Sequence, residues 1–176
     1  MIQQTPKGLV ELLRSPTLRC RTGILLIPPD TLDKQPDMAA RLGIDTVDYV
    51  QLLLAGLPEG TAFVNISDET EGQRLHDLSV DRKNADCLMV CNLDLALAKL
   101  DSTQRKAFWA GLFDRFPHRP CALILAMPST ARHLMPPDTE IAKWKESGRL
   151  ASAVVADQAI PGDNYGTIDE GNRNSG

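Results

Sequence analysis

Residues Cys87–Cys91, Cys-Leu-Met-Val-Cys, form an apolar run too short for a core helix and without the alternation of a half-solvated strand. A run of that kind is a strand covered on both faces, the signature of a parallel sheet. Two further runs match it: Thr22–Ile27, closed by Pro28 and Pro29, and 121–127, closed by Pro128. Proline has no N–H to give to a ladder, so each run stops there. Helical patterns separate the runs. The expected fold class is therefore α/β, a three-layer sandwich with a mainly parallel sheet and helices on both faces.

The intervening segments differ in strength. Leu9, Leu12 and Leu13 share a face of a short amphipathic helix over 1–13, where Pro6 is tolerable in the first turn. Residues 31–42 read as a weak helix interrupted by Pro36. Residues 45–56 read as a stronger one, with Val47, Val50, Leu53 and Leu54 on one face, Asp45 as its cap and Gly56 at its end. Residues 61–66 are the expected second strand. The helix after it carries Leu75 and Leu78, with Asp68 and Glu71 at capping-box spacing and Gly72 weakening it. Asp101 and Gln104 flank the start of the best helix, whose Phe108, Leu112 and Phe116 are widened by Trp109 and Phe113, and which Pro117 ends. Residues 150–155 give an edge strand. One domain over 1–157 is expected, followed by a polar tail, 158–176, too poor in apolar mass to fold by itself.

Charge and cysteine usage narrow the class. A net charge of -4 over 176 residues gives no reason for bulk binding to nucleic acid. Local basic clusters remain, Arg14, Arg19 and Arg21 near the start and Arg115, His118 and Arg119 later; plain surface charge explains them equally. The N-terminus is polar and the first apolar run is far too short to span a bilayer, so a cytoplasmic protein without a membrane partner is expected. Cys87 and Cys91 share a strand face about 13 Å apart, which excludes a disulfide or one tetrahedral metal site between them. All four cysteines read as small core hydrophobes.

In such sheets ligands bind outside the carboxyl ends of the strands. The candidate ends are 28–30, 65–67, 92–94 and 128–130. A phosphate-binding loop at the first end needs glycines, so that backbone N–H groups can wrap phosphates, and a lysine to neutralise them. The sequence there is Pro-Pro-Asp-Thr-Leu-Asp-Lys-Gln: no glycine, two prolines and two repelling carboxylates. Lys34 is the one residue there that could meet a phosphate. At the third end, Asn92 and Asp94 stand where P-loop ATPases place the carboxylate that holds magnesium, and Asp94 is the candidate ligand. Capping of the next helix explains the pair as well. His76, His118 and His133 are isolated, and there is no Gly-x-Ser-x-Gly elbow. The fold expected is thus P-loop NTPase-like but lacking the P-loop.

The order of four stretches carries a resemblance: Phe-Val-Asn-Ile-Ser from Phe63, then Gln73, Arg74 and Leu75, then Asn-Leu-Asp at 92–94, then Leu-Ile-Leu-Ala-Met-Pro at 123–128. Together they resemble BrxF, the small P-loop ATPase-like subunit of BREX bacteriophage-defence systems. The resemblance covers roughly residues 61–128, and of the family's nucleotide site only Asn92 and Asp94 match. With the P-loop absent between Ile27 and Arg41, ATP hydrolysis does not carry over. The resemblance implies a degenerate relative that keeps the fold as a non-catalytic scaffold, without a cofactor, in a prokaryotic anti-phage defence or DNA-processing complex. Its partner would be a larger protein, with Trp144, its neighbours Ile141 and Lys145, and the tail as docking material. Two alternatives stand beside it. One is a nucleotide-dependent enzyme or switch using Lys34 on ATP and Asp94 on magnesium. The other is a DNA-binding accessory, with Arg19, Arg21, Arg115 and Arg119 on one face if the first and fourth strands are neighbours.

Overall fold

The protein is described by a computed structural model covering residues 4–82, 84–116 and 120–153. The strands are β1 (Thr22–Ile27), β2 (Asp45–Asp48), β3 (Cys87–Cys91), β4 (Ala122–Pro128) and β5 (Leu150–Ser152). They form one sheet in the order β2-β3-β4-β1-β5 with every pairing parallel. β1 and β4 are central neighbours, in register from Thr22 opposite Leu123 to Ile27 opposite Pro128. The helices are α1 (Pro6–Arg14), α2 (Gln35–Leu42), α3 (Tyr49–Ala55), α4 (Asp68–Asp81), α5 (Leu93–Leu97), α6 (Ser102–Ala110) and α7 (Asp138–Glu146). Among the described residues no helix is long and apolar enough to cross a membrane. The expected tail, 158–176, lies outside the described residues.

Strand alternation divides the core into two layers. Ile24, Leu88, Val90, Leu123, Leu125 and Met127 face the side covered by α3 to α7. Leu25, Ile27, Met89, Ile124 and Ala126 face the side covered by α1 and α2. Gly23 permits the close seating of α1 on β1, because a Cβ there would lie 2.8 Å from Leu9 Cδ1 and 3.0 Å from Leu13 Cδ1. All four cysteines are buried and free, in line with the reading of them as core hydrophobes.

Two element assignments are corrected. Residues 45–56 are not one helix. Asp45–Asp48 pairs with β3 as an edge strand, and α3 starts only at Tyr49, capped by Asp48, whose side chain accepts from the N–H of Gln51. The β-branched pair Thr46-Val47 suits the ladder, and the aspartate one turn later is the better cap. Residues 61–66 form no strand at all. Two smaller details also change. Pro36 opens α2 in its first turn, after a 3-10 turn over Pro29–Lys34, rather than interrupting it. The box that caps α4 is Ser67 with Thr70, which frees Glu71 for burial.

Beyond Ala110, α6 widens into a π-turn over Gly111–Arg115. Here the chain builds a buried cationic knot. The guanidinium of Arg149 donates from Nε to the carbonyl of Thr22 (2.7 Å), from Nη1 to that of Phe113 (2.8 Å), and from Nη2 to that of Leu112 (3.1 Å) and to Thr22 Oγ1. It lies between two rings, 4.7 Å from the centroid of Phe113 and 4.6 Å from that of Trp144. Burial lowers its pKa to about 10, so it stays protonated at neutral pH. Trp144, considered above as a docking anchor, is 1% exposed and packs edge-on against Trp109 and Phe113. It is a core residue.

Two outcomes follow for stability. Arg149→Ala takes the side-chain donor from the carbonyls of Thr22 and Phe113, leaves that of Leu112 with the Thr22 hydroxyl alone, and opens space between two rings, while Trp144→Ala opens a cavity, so each should lower unfolding free energy in urea by about 3 kcal/mol or more. Burial also pushes the thiols of Cys87 and Cys91 up to about 12 and that of Cys121 to about 11, and lifts the Tyr49 phenol far above its ordinary range. Groups whose folded pKa is raised keep a proton that the unfolded chain releases. Their contribution is intact below the ordinary thiol value of 9.0 and is lost as pH climbs toward the folded values. Melting temperature should therefore be flat through neutral pH and fall steeply above about pH 9.

Candidate functional site

The chain leaves β1 toward the α2 side of the sheet and leaves β4 toward the α7 side. The crevice between these two strand ends is where an open parallel sheet would receive a ligand. Here it is walled. The N–H of Ser129 donates to the carbonyl of Ile27 at 2.8 Å, extending the ladder past the strand ends. Pro28, Pro29 and Pro36 have no N–H to offer. The N–H and hydroxyl of Thr31 are both turned onto the carbonyl of Pro28, each at 3.1 Å. Asp30 and Asp33 are exposed on the same turn, and Lys34, the residue before α2, is exposed beside them. No row of convergent backbone donors remains for a phosphate.

The neighbouring strand ends hold the acidic residues. Asn92 adopts a left-handed backbone, φ 59°, and its side-chain nitrogen donates to Asp48 Oδ2 at 2.7 Å. Asp48 Oδ1 accepts from the N–H of Gln51 at 3.1 Å. Both oxygens of Asp48 are thus engaged in joining β2 to β3 and capping α3. Asp94 is half-buried in the first turn of the five-residue α5. Among the described residues no group of three or more His, Cys, Asp or Glu side chains could hold a metal. The geometry gives Asn92 a structural task and leaves Asp94 as a lone carboxylate.

The basic candidates separate. Arg19 is exposed ahead of β1. Arg21 is 8% exposed, donating from Nε to the carbonyl of Leu13 (2.6 Å) and from its terminal nitrogens to those of Pro120 (3.1 Å) and Asp86 (3.4 Å). That guanidinium is spent on the main chain, so Arg21 is not a free phosphate contact. Arg115 is exposed at the end of the π-turn, 3.7 Å from Asp114. Arg119 lies outside the described residues.

Arg115 does border a groove of about 450 Å³ between α4 and α6. Asp68, Gln73 and His76 line one wall, and Phe108 and Leu112 the other. A second polar feature was not legible in the sequence. Glu71, fully buried on α4, accepts from the hydroxyl of Tyr49 and pairs with Arg74, with Thr70 Oγ1 at 3.2 Å. The cluster ties α3 to α4. Glu71 and Arg74 stand at i, i+3 spacing, the one signal that points to their pairing, and nothing in the sequence places Tyr49 beside them.

Comparison with protein-family models, with curated proteins and with solved structures finds no match to this chain.

The left-handed turn at Asn92 gives a direct check. Asn92→Ala combines backbone strain with loss of the bond to Asp48 and should cost about 2 kcal/mol in urea unfolding. Asn92→Gly removes the strain and should cost about half of that. Asp94→Ala should stay within about 0.5 kcal/mol of the parent.

Proposed function

We propose that the protein is a non-catalytic interaction subunit, a pseudo-ATPase-like scaffold. The observation that carries this reading is the crevice between β1 and β4, where prolines stand in place of phosphate donors and Thr31 turns its N–H onto the carbonyl of Pro28. A parallel sheet whose crevice lacks a glycine-rich phosphate loop retains its surfaces for partners while offering little to a nucleotide. The resemblance to BrxF supplies the setting proposed here, a prokaryotic anti-phage defence or DNA-processing complex with a larger protein as the partner. The burial of Trp144 moves the docking role away from that residue and onto exposed surface. The DNA-binding alternative is weakened, because Arg21 is withdrawn into the fold and Arg19 and Arg115 remain as its described exposed members.

The test joins two measurements on the full chain. Titration with ATP or GTP and magnesium should leave the melting temperature unchanged and yield no phosphate release. A tagged copy expressed in its native host should recover a larger protein in stoichiometric amount. A magnesium-dependent thermal shift that disappears in Asp94→Ala and Lys34→Ala would overturn the scaffold reading in favour of a nucleotide switch.

A further inference from the structure

Two glycines line the groove between α4 and α6, and the fold itself has no need of either. Glycine is the weakest helix former after proline. Gly72 lies inside α4, and Gly111 joins α6 to the π-turn with an ordinary helical backbone, φ -59° and ψ -45°. A Cβ on either would meet no neighbouring group within 4 Å. Neither a positive φ nor a close approach explains them. What they share is the groove of about 450 Å³, which they line together with the buried Phe108 and Leu112. A space of that volume lies within the range of small-ligand sites.

The groove is polarised along its length. α4 and α6 lead into the adjacent parallel strands β3 and β4, so both run toward the amino edge of the sheet. The N–H of Cys121 donates to the carbonyl of Ser79 at 3.3 Å, which holds the end of α4 beside the start of β4. Asp68 and Glu69, in the first turn of α4, therefore stand at one end, with His76 and Arg115 at the other. Asp68 to His76 spans about 12 Å of helix. Glu71, the third acid of that first turn, is paired with Arg74, whereas Asp68 and Glu69 have no cation among the described residues. Arg115 has Asp114 at 3.7 Å, an exposed pair worth little. Asp77, next to His76 in the chain, is engaged by Gln73 Nε2 at 2.7 Å. His76 Nδ1 is buried without a partner. An N–H there would be stranded, so the neutral ring carries its proton on Nε2 and offers it as a donor.

We propose that the groove binds a short peptide with both termini free. Its ammonium meets Asp68 and Glu69, its carboxylate meets Arg115, and an apolar side chain occupies the space beside Gly72 and Gly111. An extended chain advances about 3.3–3.6 Å per residue, so about three or four residues span the two ends. The separation of the charges decides the class. A single amino acid is too short to reach both ends, and a ligand with one charge leaves the other end unanswered. His76 Nε2 donates to a peptide carbonyl between them. The groove lies between two helices and not in the crevice between β1 and β4, so the proposal stands whether or not the protein is a scaffold.

Titration of the isotope-labelled full chain with the tripeptide Ala-Leu-Ala, followed by NMR, tests this. The expected result is a saturable shift of the amides of Gly72, Gln73 and Gly111. Acetylating the amino end of the peptide or amidating its carboxyl end should each weaken binding about twofold to fivefold, the scale of an exposed ion pair. Arg115→Ala should weaken the free peptide by the same factor and the amidated peptide no further. Gly72→Leu fills the groove and should abolish binding without lowering the thermal melt, because its Cβ has room. Absence of a saturable shift with the peptide at about 10 mM overturns the proposal. So does a peptide blocked at both ends that binds as tightly as the free one, or binding that survives Gly72→Leu.

Discussion

The guanidinium of Arg149 is the interaction on which this architecture turns. It reaches from the turn after α7 to the first residue of β1 and to the π-turn beyond α6, and rings from two of those elements clasp it. Among the described residues no carboxylate pairs with it directly. Carbonyls and aromatic faces do that work instead, which fixes geometry more tightly than a single ion pair would. The widened turn at Gly111–Arg115 belongs to the same arrangement, since it presents the carbonyls of Leu112 and Phe113 sideways to the arginine instead of along the helix axis.

Much of the fold could be read from the sequence because its central strands are uninterrupted apolar runs with prolines at their ends. β1, β3 and β4 fall where that pattern puts them, and the caps at Asp101 and Gln104 are used as their spacing suggests. The region between β1 and β3 was less legible, for a definite reason. Val47 fits a helical face and a strand equally well, and only its pairing with Val90 decides between them. Residues 61–66 fail in the opposite sense: local preference favours a strand, yet no edge in the same chain takes it up. Both errors arise where local preference alone does not decide a short segment's state.

The candidate site shows a similar division. The sequence located the ends of β1, β3 and β4 and showed that phosphate donors were missing, but it expected an end at 65–67, where no strand lies, and missed that of β2. It could not show that Asn92 turns back to hold Asp48, or that Arg21 is consumed by main-chain carbonyls, because both depend on residues brought together by the sheet. Asn92, with Asp48, therefore reads as the joint between two strands. The groove between α4 and α6 and the buried Glu71 cluster owe their positions to how those helices settle on the sheet.

The strand order carries a consequence for how the chain is made. β1 leaves the ribosome well before both its neighbours, β4 and β5, which are encoded about 100 and about 125 residues later. β3 can meet β2 early but lacks its other flank until β4 emerges. The most apolar segments of the nascent polypeptide thus wait uncovered until β4 and β5 emerge, and only then does the sheet close. For this topology, vectorial folding stalls at the centre of the sheet, and protection of the growing chain falls to whatever binds exposed apolar strands during translation.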